Sequence, residues 1–164
     1  MLLLPTNNKP WENMYYELLT FYTKAKEFDQ LQVVYLTKEQ QSKLKIEILP
    51  CFVDPSGNSL ISYQEIAQIL LYPSTLDINL IGQTDKEANE TFKFFSLPQS
   101  LNWQELQIAQ QIEKTLAGNT FIETNRNLRI IDIFYFCFLY RLMVESSEDF
   151  KFTHPDLYRW FFYL

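Results

Sequence analysis

Apolar positions in the N-terminal part of the chain form short runs and one helical stripe. Residues 11–25 carry apolar side chains about every 3.6 positions, which predicts an amphipathic helix. The runs at residues 2–4, 31–36 and 46–53 are rich in aliphatic and β-branched residues and predict strands. An Asp-Pro-Ser-Gly-Asn turn follows the last run and predicts a hairpin with residues 60–61.

A helix predicted over residues 62–71 ends before Pro73, and helical patterns follow for the remainder of the chain. They predict helices over residues 85–95, 102–116, 129–144 and 155–163. In the second of these we expect the inward side chains to be Leu106, Ile108, Ala109 and Ile112. Because strands come first and helices afterwards, we predict an α+β fold with two subdomains, residues 1–73 and 74–164.

The composition excludes several classes of catalytic and ligand-binding site. The 164 residues include only three glycines, which excludes a glycine-rich phosphate loop. Cys51 and Cys137 lie in separate apolar runs without a Cys-x-x-Cys spacing, which predicts buried thiols and no metal site. The single histidine, His154, has no recognisable nucleophile motif beside it. We therefore expect no catalytic residue, no metal and no cofactor in this chain.

Charge and hydropathy bear on location and partners. The net charge of −6 and the lack of a Lys/Arg stripe disfavour a stand-alone tRNA-binding protein or binding to an anionic membrane. The longest apolar run, residues 130–144, is short for a membrane span and contains Asp132 and Arg141, so it predicts a buried helix. The first residues are too short for a secretory signal. We expect a cytoplasmic protein without a membrane partner.

Three segments, taken in order, resemble one known family. Residues 48–60 place Pro50 ahead of a turn that holds an aspartate and a glycine. Residues 118–132 carry a Thr-Phe pair and end on Asp132, and residues 152–161 hold an Arg-Trp pair. Their order and spacing resemble the glutathione S-transferases (GSTs). The resemblance implies an α+β, GST-like fold, in which a small thioredoxin-like half precedes an all-helical half.

The resemblance also implies three structural roles. It makes Pro50 the candidate for a cis peptide bond, and Asp132 a buried carboxylate that accepts amide hydrogen bonds at the start of the central helix. Arg129 stands where the family has Ser or Thr, so one half of that capping box is lost. We expect Trp160 to lie in the core.

The residues with which the family binds glutathione are not matched. A transferase activates the glutathione thiol with a Tyr, Ser or Cys after the first strand, where this chain offers only Thr6. The family's pair of an acidic residue or Gln followed by Ser aligns with Ser62 and Tyr63, and the bulky phenol crowds that site. We interpret the glutathione site as lost. A glutathione-dependent transferase or thiol reductase remains the alternative.

GST-like domains without catalytic residues occur in the translation machinery. They are appended to methionyl-, glutamyl- and other aminoacyl-tRNA synthetases, to accessory scaffold proteins and to elongation-factor subunits, where they act in assembly. The resemblance to this type predicts a non-catalytic protein–protein interaction module of a synthetase assembly. Its partners would be other GST-like domains or a second copy, and tRNA would bind only to regions outside this chain.

Two helical surfaces are candidate interfaces. On the Arg-Trp helix the resemblance makes Arg159 the anchor, Asp156 the acceptor of a partner's arginine, and Tyr158 a neighbouring contact. An exposed Asp-Arg pair within one helix is the plainer interpretation. The second surface follows the hairpin, and its candidates are Tyr63, Gln64, Gln68, Leu71 and Tyr72.

Overall fold

A computed structural model describes most of the chain as two compact units, Met1–Thr75 and Leu76–Leu164. The described residues are 1–6, 9–24, 32–46, 51–53, 56–57, 59–60, 62–71, 80–122 and 127–164. Only the backbone is described for residues 20, 22–24, 60 and 68–71.

A mixed sheet organises the described part of the N-terminal unit. Strand β1 (Leu2–Pro5) pairs in parallel with β2 (Val33–Leu36) and antiparallel with β3 (Cys51–Val53), with Leu2 opposite Val33 and Phe52. β3 pairs antiparallel with β4 (Ser59–Leu60), which gives the order β2-β1-β3-β4. A parallel pair needs a crossover connection between its strands, and this connection is usually a helix.

The helices of the N-terminal unit follow from local signals. α1 (Pro10–Lys24) makes the crossover, and α3 (Tyr63–Leu71) packs against it after the hairpin, where Gly57 takes a φ of +88°. Between β2 and β3 lies α2 (Lys38–Lys43), a short helix without buried side chains. A reciprocal capping box starts it, because Thr37 and the residue three positions later exchange side-chain and backbone hydrogen bonds.

The core of the N-terminal unit lies on both faces of the sheet. Successive side chains of β1 point to opposite faces, and Leu2, Leu3 and Leu4 are all buried. Leu3 packs with Leu36 and Cys51 on one face. Burial on both faces explains why β1 reads as a continuous apolar run rather than an alternating one.

Helices are the regular secondary structure in the described part of the C-terminal unit. The longest, α7 (Ile130–Glu145), is largely buried and packs against several other helices of this unit. A 3₁₀ turn at Phe94–Ser96 joins the first two helices. The others are α4 (Asp85–Lys93), α5 (Leu97–Ser100), α6 (Glu105–Leu116), α8 (Glu148–Thr153) and α9 (Pro155–Tyr163).

Helix α6 corrects two details of the sequence prediction. It starts at Glu105 rather than at residue 102, because Asn102 and Trp103 have positive φ values of 50° and 57°. Leu106 is 50% exposed and does not face inward. It precedes the buried Ile108 by two residues, or about 200° around a helix, which places it on the opposite side.

Helix α8 was not predicted from the sequence. It is short, and its side chains are not buried, so the apolar stripe that reveals longer helices is missing. Its beginning is nevertheless well defined, because the Ser147 hydroxyl accepts a hydrogen bond from the Phe150 amide at 3.2 Å.

Candidate protein-interaction site

Polar groups at the start of α3 bond to one another. The Ser62 hydroxyl donates to the Glu65 carboxylate at 2.9 Å and accepts from the Glu65 amide at 3.0 Å. This Ser-x-x-Glu pattern closes the helix N-terminus, where backbone N–H groups otherwise lack partners. Ser62 is therefore engaged in local structure.

Tyr63 packs inward against α1. Its hydroxyl donates to Glu12 at 2.7 Å, and its ring stacks on Tyr16 and lies near Trp11 and Tyr15, with centroids 5.8 to 6.3 Å apart. Burial, followed by the nearby Glu12 carboxylate, raises the pKa of Tyr63 well above its usual value. The phenol stays protonated and acts as a hydrogen-bond donor within the N-terminal unit.

For most of the remaining candidates of the second predicted surface, the structure describes no side-chain contacts. Gln64 is half-buried on α3, and only the backbone is described for Gln68 and Leu71. Tyr72 and Pro50 lie outside the described residues. Apart from the inward-packed Tyr63, this surface stays a prediction.

Neither thiol is placed for chemistry. Cys51 and Cys137 are both buried and free. Burial raises the pKa of Cys51 above its usual value and that of Cys137 to about 12, so both are protonated at neutral pH. Across the described ranges, no three His, Cys, Asp or Glu side chains are grouped to hold a metal ion.

The start of α9 is fixed by a residue from another helix. Glu113 on α6 accepts hydrogen bonds from the amides of Asp156 and Leu157 at 3.3 and 2.6 Å. Pro155 supplies the first turn, where its missing N–H costs nothing. The negative carboxylate also suits the positive end of the helix dipole. α9 is therefore anchored to α6 at its first turn.

This anchoring positions a polar edge on α9, which we define as Asp156, Arg159 and the Asn119 carbonyl. Arg159 Nη2 donates to the Asn119 carbonyl at 2.7 Å and to Asp156 Oδ1 at 3.2 Å. The side chains of Arg159 and Asp156 are 46% and 35% exposed. The predicted Asp-Arg pair on one face of the helix is thus formed.

The polar edge can accept a carboxylate from a partner. Among the described residues, Arg159 donates its hydrogen bonds through Nη2. Nε and Nη1 remain as donors, and the rigid guanidinium suits bidentate contacts with a carboxylate. An exposed pair such as Asp156–Arg159 stabilises a fold by only about 0–1 kcal/mol, so exchange with a partner costs little.

Tyr158 lies on a different side of α9 from Arg159. Its ring is 4.5 Å from that of Phe162, and the Lys151 ammonium lies 5.6 Å from the Tyr158 centroid. Tyr158 therefore faces α8, whereas the polar edge faces the end of α6. The structure does not bring these three predicted interface residues into one cluster.

Asp132 joins three segments of the C-terminal unit. It accepts hydrogen bonds from the Ile122 amide, the Arg129 amide and the Trp160 indole at 2.8, 2.9 and 2.9 Å. Burial raises its pKa to about 6, although these donors and the Arg129 guanidinium oppose the shift. The Asp132 amide donates to the Arg129 carbonyl, because arginine offers no side-chain acceptor. Asp132 and Trp160 are both fully buried.

Sequence reasoning missed two residues of this site. Glu113 lies within the helix predicted over residues 102–116 and Asn119 within the segment 118–132, and the sequence analysis singled out neither residue. Their partners are 43 and 40 positions away. The only signal in the sequence was that α9 begins with His-Pro and lacks a capping side chain of its own.

Comparison with known proteins identifies the fold. No family model matches the sequence, and no curated protein matches it as a relative. A glutathione S-transferase from Methylobacillus flagellatus, solved with glutathione bound, is 16% identical with a TM-score of 0.70, covering 99% of this chain and 92% of that one. The E7 isozyme of Drosophila melanogaster glutathione S-transferase is 15% identical with a TM-score of 0.69, covering 100% and 86%. The fold is GST-like.

Another similar structure is the GST-like domain of an elongation factor. The GST-like domain of elongation factor 1-gamma from Saccharomyces cerevisiae is 18% identical, with a TM-score of 0.66, and covers 99% of this chain and 87% of that one. The predicted α+β, GST-like class is thereby confirmed, with a small mixed sheet followed by helices. None of the helices in the described ranges is long and apolar enough to cross a bilayer.

The GST-like fold gives the contacts at the start of α3 a particular meaning. The family resemblance aligned Ser62 and Tyr63 with residues that bind the γ-glutamyl end of glutathione. Here the Ser62 hydroxyl bonds to Glu65 and the Tyr63 hydroxyl to Glu12. Both hydroxyls therefore have partners within the N-terminal unit.

Proposed function

We propose that this GST-like chain is a non-catalytic protein–protein interaction module that docks partner proteins through the polar edge of α9. The observation that carries the proposal is the fixed, half-exposed guanidinium of Arg159, held by the Asn119 carbonyl and Asp156. Arginine in a preset orientation is a common interface anchor, because little side-chain freedom is lost on binding.

A twofold-like contact suits this edge. It carries a cation and a carboxylate side by side, so a partner with the same arrangement can offer its carboxylate to Arg159 and its arginine to Asp156. A partner with a related fold meets this requirement directly. We propose that the partners are GST-like domains of aminoacyl-tRNA synthetases or their scaffold proteins.

Two lines support a role in translation. The likeness to the GST-like domain of elongation factor 1-gamma gives a precedent for this fold in that setting. The sequence also resembles the synthetase-associated type in lacking matched glutathione residues. The proposal includes a cytoplasmic location, and it assigns tRNA contacts to regions outside this chain, whose net charge is −6.

The non-catalytic part of the proposal depends on the N-terminal unit. The Ser62 and Tyr63 hydroxyls are bonded internally, and the Cys51 thiol is buried with a raised pKa. A working transferase needs a hydroxyl or thiol directed at the sulfur of glutathione. In the family that group follows the first strand, where this chain has Thr6, an exposed residue whose amide donates to the Leu36 carbonyl at 3.0 Å. Ser62, Tyr63 and Cys51 are used for capping and packing.

Affinity capture with single-residue variants tests the proposal. The tagged chain is used to capture proteins from an extract of its source organism, and bound proteins are quantified by mass spectrometry. We expect synthetases or their scaffold proteins to be enriched, and Arg159→Ala and Asp156→Arg to lower that enrichment at least about tenfold. Lys86→Ala is the matched control, because Lys86 is an exposed cation paired with Glu90 on its own helix. Equal recovery with all variants would contradict the docking edge.

The alternative function is a glutathione-dependent enzyme. The observation that favours it is the likeness to a transferase solved with glutathione bound. Isothermal titration of the chain with glutathione at about millimolar concentration separates the two functions. It detects binding with a dissociation constant of about 1 mM, which corresponds to about 4 kcal/mol. Saturable binding, together with turnover of an aromatic halide, would replace the proposed non-catalytic role by this one.

A further inference from the structure

One side of α9 carries an aromatic residue beyond the polar edge. Asp156, Arg159 and Tyr163 follow one another at spacings of three and four residues, so they lie within about 60° of one another around the helix. Tyr163 is about 6 Å further along the helix axis than Arg159. Its ring packs edge-on against that of Phe121, with centroids 5.7 Å apart and planes at 66°. We call Tyr163 and Phe121 the aromatic pair.

The segment that follows α6 holds the aromatic pair in place. Asn119, whose carbonyl belongs to the polar edge, lies two residues before Phe121. The Asn119 side chain donates to the Thr115 carbonyl at 3.0 Å, and the Ile122 amide donates to Asp132 at 2.8 Å. Because Phe121 lies between these two anchored residues, little backbone freedom is lost when a partner packs on the aromatic pair.

The aromatic pair is open to a partner on its outer side. Tyr163 is 65% exposed, and the half-buried Phe121 supports it. Tyrosine and arginine are both enriched among the residues that dominate the binding energy of protein interfaces, and such residues cluster. A side chain packed on Tyr163 also excludes water from the nearby guanidinium of Arg159, which strengthens the bond of this guanidinium to a partner's carboxylate.

The charges along α9 decide which side chain fits the aromatic pair. An aromatic face can bind either a cation or an apolar group. Arg159 lies one turn from Tyr163, whereas the Asp156 carboxylate starts about 10 Å away along the helix axis. A second cation over Tyr163 is therefore repelled by the nearer Arg159 more than it is attracted by Asp156. The position favours an uncharged, apolar side chain.

We propose that the aromatic pair selects the partner of the polar edge, by binding an apolar side chain that lies one helical turn from the carboxylate bound to Arg159. Arg159 and Tyr163 are four residues apart, so a partner helix with Glu and Leu four residues apart presents its groups at the same spacing. This inference rests on the proposed function, because it uses the same side of α9. It adds Tyr163 and Phe121 as specificity-determining residues.

Fluorescence polarisation with labelled synthetic helices tests the inference on the purified chain. The probe is a helical peptide built on Ala and Gln, with Glu and Leu four positions apart, made in both orders because a partner helix can run in either direction along α9. We expect one order to bind with a dissociation constant of about 100 µM. Replacing Leu by Ser in this peptide should raise the constant at least about fivefold. Replacing it by Lys should raise the constant further, because of repulsion from Arg159.

Variants of the chain separate the aromatic pair from the rest of α9. Tyr163→Ser should abolish the preference for Leu over Ser in the peptide, whereas Tyr163→Phe should keep it, because the ring makes the contact. Phe162→Ser is the matched control and should keep the preference. Phe162 is 62% exposed, close to Tyr163, but its ring packs against Tyr158 on another side of α9. Circular dichroism confirms that every variant is folded.

The outcomes distinguish failure of this inference from failure of the proposed function. Equal binding of the Leu and Ser peptides, tighter binding of the Lys peptide, a Leu preference that survives Tyr163→Ser, or no binding in either order would each overturn selection by the aromatic pair. If the Leu preference is absent but Arg159→Ala, or Gln in place of the peptide's Glu, still weakens binding, the polar edge stands without the aromatic pair. Peptide binding that depends on Leu but on neither of these two groups would contradict the polar edge and, with it, this inference.

Discussion

The starts of α3 and α9 are both closed by a glutamate, but the two glutamates come from different distances along the chain. At α3, Glu65 lies three residues from Ser62 and bonds its hydroxyl and amide. At α9, Glu113 lies more than 40 residues away and bonds the Asp156 and Leu157 amides. The first cap stabilises one helix, whereas the second also fixes α9 against α6.

This difference bears on what each helix start can do. At α3, the local cap and the Tyr63–Glu12 bond satisfy the polar groups inside the N-terminal unit. At α9, Glu113 accepts hydrogen bonds from amides of the first turn, and the side chains of Asp156 and Arg159 stay at the surface. A helix start that is satisfied from another helix can present its own charged residues to a partner.

The start of α7 is closed by both a local and a distant set of hydrogen bonds, all made by Asp132. Removing the Asp132 carboxylate should have the largest effect on stability. Asp132 accepts one local amide, that of Arg129, and two distant donors, the Ile122 amide and the Trp160 indole. Asp132→Ala leaves three buried donors without an acceptor. We expect the free energy of unfolding to fall by about 3–5 kcal/mol, measured by urea titration with tryptophan fluorescence.

The control for Asp132→Ala is Asp149→Ala on α8, because Asp149 is exposed at a helix start. It should lower the free energy of unfolding by less than about 1 kcal/mol. Equal losses in the two variants would show that the three donors at Asp132 are satisfied by other groups once the carboxylate is gone.

The pH dependence of stability should carry the signature of the same carboxylate. The folded pKa of about 6 lies above the unfolded value of 3.8, so between them the folded state binds more protons. The stabilisation is fully present below about pH 4 and is lost as pH rises through about 6. The loss amounts to about 3 kcal/mol at most. Urea titrations of the wild-type chain and Asp132→Asn at several pH values measure it.

The comparison with Asp132→Asn isolates this one group, because every other carboxylate is common to both proteins. The free energy of unfolding of the wild-type chain minus that of the variant should fall between about pH 4 and pH 7 and stay level above that. A difference that rises with pH would mean that the hydrogen-bond donors outweigh burial at Asp132.

Local signals made much of the fold predictable. The stripe of α1, the aliphatic runs of β1 and β2, and the apolar run of α7 depend on neighbours in sequence, and each element was predicted within a few residues. The predicted start of α6 was wrong. The backbone is left-handed at Asn102, and no glycine at that position indicates such a conformation in the sequence. Propensity at a single residue does not reveal such a turn.

The candidate site was less predictable than the fold, because several of its contacts join residues that are distant in sequence. Asp156 and Arg159 are three residues apart, so helical geometry alone predicts their contact. The Glu113 cap and the Asn119 carbonyl depend on how α6 and α9 pack, which no local pattern encodes. Tyr158 shares a helix with Arg159, yet its ring lies against Phe162 and below the Lys151 ammonium of α8.

The two helix caps can be compared directly with Glu113→Ala and Ser62→Ala. Each removes a capping acceptor, so each should lower the free energy of unfolding by about 1–2 kcal/mol, measured by urea titration. Their effects on partner capture should differ, because only Glu113 positions the polar edge. We expect Glu113→Ala to weaken capture and Ser62→Ala to leave it unchanged. If both variants weaken capture equally, the effect follows general stability, and the difference between a local and a distant cap has no consequence for docking.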